Sequence, residues 1–402
     1  MFACVDCANP HTLRSGDKMK LNKVPLKNVC DISMGQSPAG EFYNENNEGY
    51  PMIAGAGDFR ELYPLVKKYT TEANKLSKID DIILCIRATI GDINWSDKIY
   101  CLGRGVAGLT PKKEKLDSHY LWHFLISDKN TLFSKATGST FKQVSKNHIE
   151  EWEIPLPDLL TQTQIAKILD KSTALIAKRK AQIAELDTLV QSVFLEMFGD
   201  PATNPKGWEE STLDQISLSK GEYGSGSSAI PYKQGYRYVR ITDILDNGEL
   251  KDEMAGIENE EQESQKYTLN EGDIVFARSG ATVGKTFLYS SKYGKCIFAG
   301  YLIRFKLNKE KVVPEYIKHF TKTHFYWRWV ASCQNVVAQP NINAKQYGAG
   351  LKIMIPPLEL QTKFLFSVKR FEKLKSHLQQ SLAELEIQHQ ALMQRAFRGE
   401  LV

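Results

Sequence analysis

The stretch LLTQTQIAKILDKSTALIAKRKAQIAELDTLVQSVFLEMF, Leu159 to Phe198, contains no glycine or proline. Within it Leu169, Ile176, Ile183, Val190 and Met197 recur at every seventh position. A hydrophobic repeat of seven brings one seam of a helix to the same side every two turns, so the spacing predicts helices wound on one another. The charged segments KRKAQ here and EKLKSH later in the chain argue against a helix buried inside a compact core. The end of the chain repeats the pattern with Phe364, Phe371, Leu378, Leu385 and Leu392. Both runs close alike, Phe198-Gly199-Asp200-Pro201 and Phe397-Arg398-Gly399-Glu400, with glycine as a helix stop.

The second run is a copy of the first. LPDLLTQTQI (Leu156 to Ile165) matches IPPLELQTKF (Ile355 to Phe364), keeping Pro157/Pro356, Gln162/Gln361 and Thr163/Thr362. AELDTLVQ (from Ala184) matches AELEIQHQ (from Ala383) at the same offset of 199 that separates Gln162 from Gln361. Upstream, HYLWHF (from His119) matches EYIKHF (from Glu315), and DIILCIRATIGDINW (from Asp81) matches DIVFARSGATVGKTF (from Asp273). That last pairing sets Arg87 against Arg278, and Thr89-Ile90-Gly91 against Thr282-Val283-Gly284.

The duplication bears on a tempting motif. DIVFARSGATVGKTF looks like a strand entering a phosphate loop, but the first glycine of G-x-x-x-x-G-K-[ST] is Ser279. The residues that follow are aromatic and β-branched, so a turn into another strand is expected instead of a helix. ATP hydrolysis by the chain alone, lost in Lys285→Ala, is not expected. KGEYGSGSS (Lys220 to Ser228) reads as a loop, and NPKGW at Asn204 lacks the second proline and flanking aromatic of an adenine methyltransferase motif.

These boundaries give an N-terminal extension (1–18), a globular domain (19–157), a long helix (158–200), a second globular domain (201–357) and a second long helix (358–402). Each globular part, about 140 to 155 residues, has the usual size of one domain. Short apolar runs broken by glycine predict mixed strand with a few helices.

Composition excludes several classes. No apolar run approaches a membrane span, and the start MFACVDCANPHTLRSG lacks a secretory pattern. Seven irregularly spaced cysteines suit reduced thiols, so a cytoplasmic location is expected. Cys4, Cys7 and His11 fall in the extension, which reads as a disordered tail, not a metal knuckle. His123 and His319, in matching Tyr-x-x-His-Phe contexts, read as packing residues, and no metal site is expected. The net charge of +5 does not by itself indicate nucleic acid.

Two tandem domains, each followed by a Pro-Leu-Pro or Pro-Pro-Leu segment, a glutamine (Gln162, Gln361) and a long heptad helix ending EMFGDP or AFRGEL, resemble the specificity subunit of type I restriction-modification enzymes. The likeness spans the chain from about residue 19. It implies an α+β fold in which two mixed α/β target-recognition domains are separated by two long helices, packed as an antiparallel coiled coil with pseudo-twofold symmetry. It further implies a non-catalytic reader of double-stranded DNA, each domain taking one half of a split, asymmetric target. The helices would space the domains and hold two methyltransferase (M) subunits, with two restriction (R) subunits where these are present. The chain would carry no cofactor; S-adenosylmethionine would belong to the methyltransferase, and ATP and Mg to the restriction partner. A helix of about 34 residues spans roughly 50 Å, enough to set two readers about one duplex turn apart.

Candidate DNA contacts follow from residue type at glycine turns and polar loops. In the second domain these are Arg278, Ser279, Thr282, Lys285, Gln339, Asn341, Asn343 and Lys345; in the first, Arg87, Thr140, Lys142, Gln143 and Lys146. The competing expectation is a cytoplasmic coiled-coil adaptor that binds proteins.

Overall fold

The computed structural model describes residues 21–138, 142–334 and 341–401. The extension with Cys4, Cys7 and His11, and the candidates Thr140 and Gln339, lie outside the described residues. The chain forms two compact units: residues up to Lys180 together with those from Gln380 onward, and Ala181–Gln379.

The first unit is organised by the strand Ile82–Cys85, buried along its whole length. Because successive strand side chains face opposite ways, Ile82 and Leu84 enter the main core with Tyr120, Phe124 and Trp152. Ile83 faces a smaller cluster with Ile53, Tyr100 and Leu102. The strand lies in an antiparallel sheet of order Cys30–Met34, Val106–Pro111, Ile82–Cys85, Ile93–Trp95. The helix Ser118–Ser127 is capped by Asp117, whose carboxylate accepts the Tyr120 N–H at 2.9 Å.

The second unit repeats this plan. Its sheet runs Glu222–Tyr223, Leu302–Lys306, Asp273–Ala277, Thr286–Leu288, again antiparallel throughout. Ile274 and Phe276 face the main core, and Val275 and Ala277 the smaller one. Asp273–Ala277 passes through a short 3-10 turn at Gly280–Thr282 into Thr286–Leu288. The phosphate-loop likeness is therefore a β-hairpin, and no helix starts at Lys285.

The long helices are Leu159–Phe198 and Leu358–Phe397, forty residues each. Within the first unit the start of one runs antiparallel to the end of the other, with Lys180–Glu386 at 2.9 Å and His389–Ser172 at 3.1 Å. Within the second unit Asp187 pairs with Lys375 at 2.7 Å, and the Phe194 and Phe364 rings lie 5.5 Å apart. Leu169, Val190 and Phe364 are buried. Ile176, Ile183, Met197, Phe371, Leu378, Leu385 and Leu392 are half-buried, as a two-helix seam allows. The other seam position is partly polar, occupied by Ser172, Arg179, Lys375 and His389, so the sequence displays only one of the two rows.

The repeated glutamines have a structural reason. Gln162 accepts the Asp117 N–H at 2.9 Å and donates to the Pro157 and Lys115 carbonyls. Gln361 accepts the Val313 N–H at 2.8 Å and donates to the Pro356 carbonyl at 2.7 Å. One fully buried amide in each copy thus ties the start of the long helix to the loop entering the domain's own helix. The helix ends are anchored as well. Phe198 is buried against Tyr316 and Phe364, while Phe397 lies 5.3 Å from Tyr120 and 5.6 Å from Phe124, ring to ring.

Candidate nucleic-acid interface

Beyond the central strand of each four-stranded sheet the chain makes the same junction. In the second unit the Arg278 N–H donates to the Tyr301 carbonyl at 3.0 Å, and the Arg278 carbonyl accepts the Ile342 N–H at 2.9 Å. In the first unit Ile86 occupies that place, donating to Gly105 at 2.9 Å and accepting from Val144 at 3.0 Å. Single bridges then join Ser279 to Asn341 and Arg87 to Gln143. The Gly224 N–H reaches the Leu302 carbonyl as the Gly35 N–H reaches that of Val106. A Cβ at Gly224 would lie 2.3 Å from the Phe298 carbonyl oxygen, and one at Gly35 would lie 2.0 Å from that of Gly103, so both close approaches require glycine.

This correspondence corrects the alignment read from sequence. Arg278 stands where the first unit has Ile86, and Arg87 stands where the second has Ser279. The second copy holds one more residue before its Thr-aliphatic-Gly, and matching the two arginines by type concealed that shift.

The junction gathers some candidates and leaves others apart. Arg278, Ser279 and Asn341 meet in the second unit, the Arg278 Nε donating to the Asn341 Oδ1 at 3.3 Å. Arg87 and Gln143 meet in the first, where the half-buried Arg87 has no partner for its Nε among the described residues. Thr282 donates to the Ser279 carbonyl at 3.2 Å. Asn343 exchanges two 2.9 Å hydrogen bonds with Gln346, closing the start of a π-helical turn, and Lys345 is exposed beside it. Lys142 lies 4.4 Å above the Phe133 ring, and Lys146 pairs with Glu150 at 3.1 Å. Two exposed aromatics that sequence reasoning passed over, Tyr223 and Tyr301, border the Arg278 junction. Their signal was an aromatic next to a glycine at a strand end, Tyr223-Gly224 and Gly300-Tyr301.

Lys285 lies elsewhere, in a groove of about 1000 Å³ in the second unit. Its ammonium is 2.7 Å from Asp246. Nearby, Glu249 pairs with Lys318 at 3.1 Å and Lys292 at 2.9 Å and accepts the Tyr293 hydroxyl. Burial alone would raise the Glu249 carboxyl, but Lys318 and the hydrogen bonds of Tyr293 and Lys292 outweigh it and bring it down to about 2. A depressed carboxylate stabilises the fold above its unfolded value, and that contribution is lost as pH falls through the folded value. Between pH 4.5 and 2 the wild-type protein should therefore lose stability faster than Glu249→Gln. Unfolding temperatures of the two measured across that window should converge.

The histidines are packing residues. His123 and His319 are buried. In the first unit His119 and His123 reach the two oxygens of Asp170 at 3.0 and 2.7 Å. Burial lowers the His123 imidazole although Asp170 opposes it. His319 is held down to about 3 by burial and by Lys322 and Lys318. Among the described residues no cluster of three or more His, Cys, Asp or Glu is placed to hold a metal ion.

The family model described as "Type I restriction modification DNA specificity domain" matches residues 19–187 and again 205–386. The chain belongs to that family. It is 23% identical to the StySPI specificity subunit of Salmonella potsdam across 86% of this chain and 80% of that protein. The EcoKI specificity subunit of Escherichia coli K12 is 22% identical over the same shares. A putative MjaX specificity subunit of Methanocaldococcus jannaschii is 35% identical, though the match spans only 41% of this chain and 39% of that protein. Among solved structures, the type I S subunit from M. genitalium covers 96% of this chain and 98% of its own at a TM-score of 0.54 and 15% identity. A second chain, from work on complex assembly and conformational transition of the type I R-M system, covers 96% of this chain and all of its own at 0.63 and 17%. These likenesses establish the specificity-subunit fold, with its two repeats and long helices. No helix among the described residues is long and apolar enough to cross a membrane.

Proposed function

We propose that this specificity subunit is the non-catalytic DNA reader of a type I restriction-modification complex, each unit reading one block of a bipartite, asymmetric target. The observation that carries this reading is the shared junction: one backbone scaffold built twice, with Ile86, Gly105 and Gln143 in the first unit where the second has Arg278, Tyr301 and Asn341. Two like scaffolds with unlike side chains suit two different base sequences, because base edges are read by side chains while the framework fixes their position.

In the same proposal the long helices receive two adenine methyltransferase subunits, which bind S-adenosylmethionine. Restriction subunits, where present, use ATP and Mg, and the complex works in the cytoplasm. The test is a methylation map of DNA from cells co-expressing the full chain with its methyltransferase partner. Adenine methylation confined to one gapped, asymmetric motif is the expected result. A stable complex that leaves DNA unmodified and binds duplex without sequence preference would instead favour the protein-binding adaptor.

A further inference from the structure

Of the six arginines in the second unit, three are committed to the fold. Arg240 is paired with Asp243, Arg304 with Glu222 and Asp273, and Arg237 donates to the Lys251 carbonyl. Arg278 is different. It forms no ion pair among the described residues, yet its guanidinium is held on two sides by neutral groups. Its Cζ lies 4.8 Å from the centroid of the Tyr223 ring, and its Nε donates to Asn341. The ring is itself fixed, since the Tyr223 hydroxyl accepts the Ala344 N–H at 3.1 Å. Both terminal amino groups are left without a partner among the described residues. Tyr223 and Tyr301 beside it are 42% and 62% exposed, so the cluster stands open to solvent.

A charge oriented but not neutralised is prepared for a ligand. Stacking on an aromatic face and an anchored Nε restrict the rotamers, so little freedom is left to lose on binding. The pair of Nη groups has the geometry for a bidentate acceptor, which in a major groove is the O6 and N7 edge of guanine. A phosphate can also accept from both Nη groups, but it is the same at every position of the duplex, whereas a residue that differs between two like scaffolds suits a base that differs between two blocks.

We propose that Arg278 is a specificity-determining residue that reads a guanine in the block taken by the second unit, with Tyr223 and Asn341 as its positioning residues. The proposal rests on the DNA-reading function put forward above. The first unit cannot make the same contact from the same place, because the equivalent residue is Ile86, 2% exposed. The two blocks therefore differ at the position this site reads.

The experiment uses the full chain in complex with its methyltransferase partner, as wild type, Arg278→Lys, Arg278→Ala and Asn341→Ala. Each complex is titrated with duplexes carrying the mapped motif, with every base substituted in turn and each guanine replaced by 7-deazaguanine. The wild type should lose about 10- to 100-fold in affinity when one guanine of one block is changed, and lose affinity at that same guanine when N7 is removed. Arg278→Lys keeps the charge and should erase that preference while leaving the other positions intact. Asn341→Ala, at an exposed site, should weaken it partly. Matched unfolding temperatures show that the variants are folded.

Uniform weakening on every duplex in Arg278→Ala, with the salt slope reduced by about one, would mark a phosphate contact and overturn the proposal. A motif read unchanged by all three variants would overturn it too, with the wider function intact. Absence of any motif with the wild-type complex would remove both readings together.

Discussion

Replacing Phe198 by alanine is expected to lower the stability of the second unit by about 3–5 kcal/mol. Phe198 is fully buried at the end of the first long helix, its ring 4.9 Å from Tyr316, 5.3 Å from Phe364 and 5.0 Å from Phe194. Truncation removes an aromatic anchor from a cluster whose other members are fixed by two helices and a domain, so the cavity cannot collapse easily. For a unit of roughly 200 residues, each kcal/mol shifts the unfolding temperature by about 2–4 °C. The melting transition should therefore fall by roughly 6–20 °C, and Phe198→Leu should recover much of it. A shift under about 2 °C would show that the helix end is not anchored as described. Because the two units need not unfold together, transitions should be followed by calorimetry rather than by one optical signal.

Arg304→Met is the second large effect, about 3–5 kcal/mol, for a different reason. Arg304 is 3% exposed and donates to Glu222 and, at 2.7 Å, to the Thr268 carbonyl, with Asp273 3.6 Å away. Burial would raise the Glu222 carboxyl, but Arg304 and Lys306 outweigh it and hold it low. In Asp273 burial wins and the carboxyl is raised. Removing the guanidinium leaves Asp273 buried without its compensating charge. The triple variant Arg304→Met, Glu222→Gln, Asp273→Asn should then be more stable than Arg304→Met alone, since neutral amides leave no unpaired carboxylate beside the lost guanidinium, and Lys306, 35% exposed, stays solvated. If the triple variant is the less stable, the charge account is wrong. Glu222 neighbours Tyr223 on the edge strand, so Arg304→Met should also weaken the guanine preference assigned to Arg278.

How much of this was legible beforehand depended on range along the chain. The long helices showed themselves because the heptad is a local pattern, and the duplication because the helical part of each copy aligns without gaps. The hairpin at Asp273 was readable from its aromatic and β-branched continuation. The Arg87 and Arg278 pairing was misread because residue type was weighed above backbone register in a turn of unequal length. Lys285 could not be placed, since its partner Asp246 lies in a turn about forty residues earlier. Tyr223 became interesting only once the fold brought it under Arg278 from fifty-five positions away. The second row of the helical seam stayed hidden because Ser172, Arg179, Lys375 and His389 do not look like core residues.

The anchored helix ends carry one more consequence. The core of the first unit is completed by Met393 and Ala396, almost at the other end of the sequence, and Lys23 and Arg398 border one small groove there. Both ends of the described chain thus lie in the first unit. Closing it there with a short linker and opening it instead between Gly199 and Trp208 would give a cyclic permutant in which each unit retains its own segments. A melting profile unchanged in that permutant would show that the fold does not require the order in which the two copies are encoded.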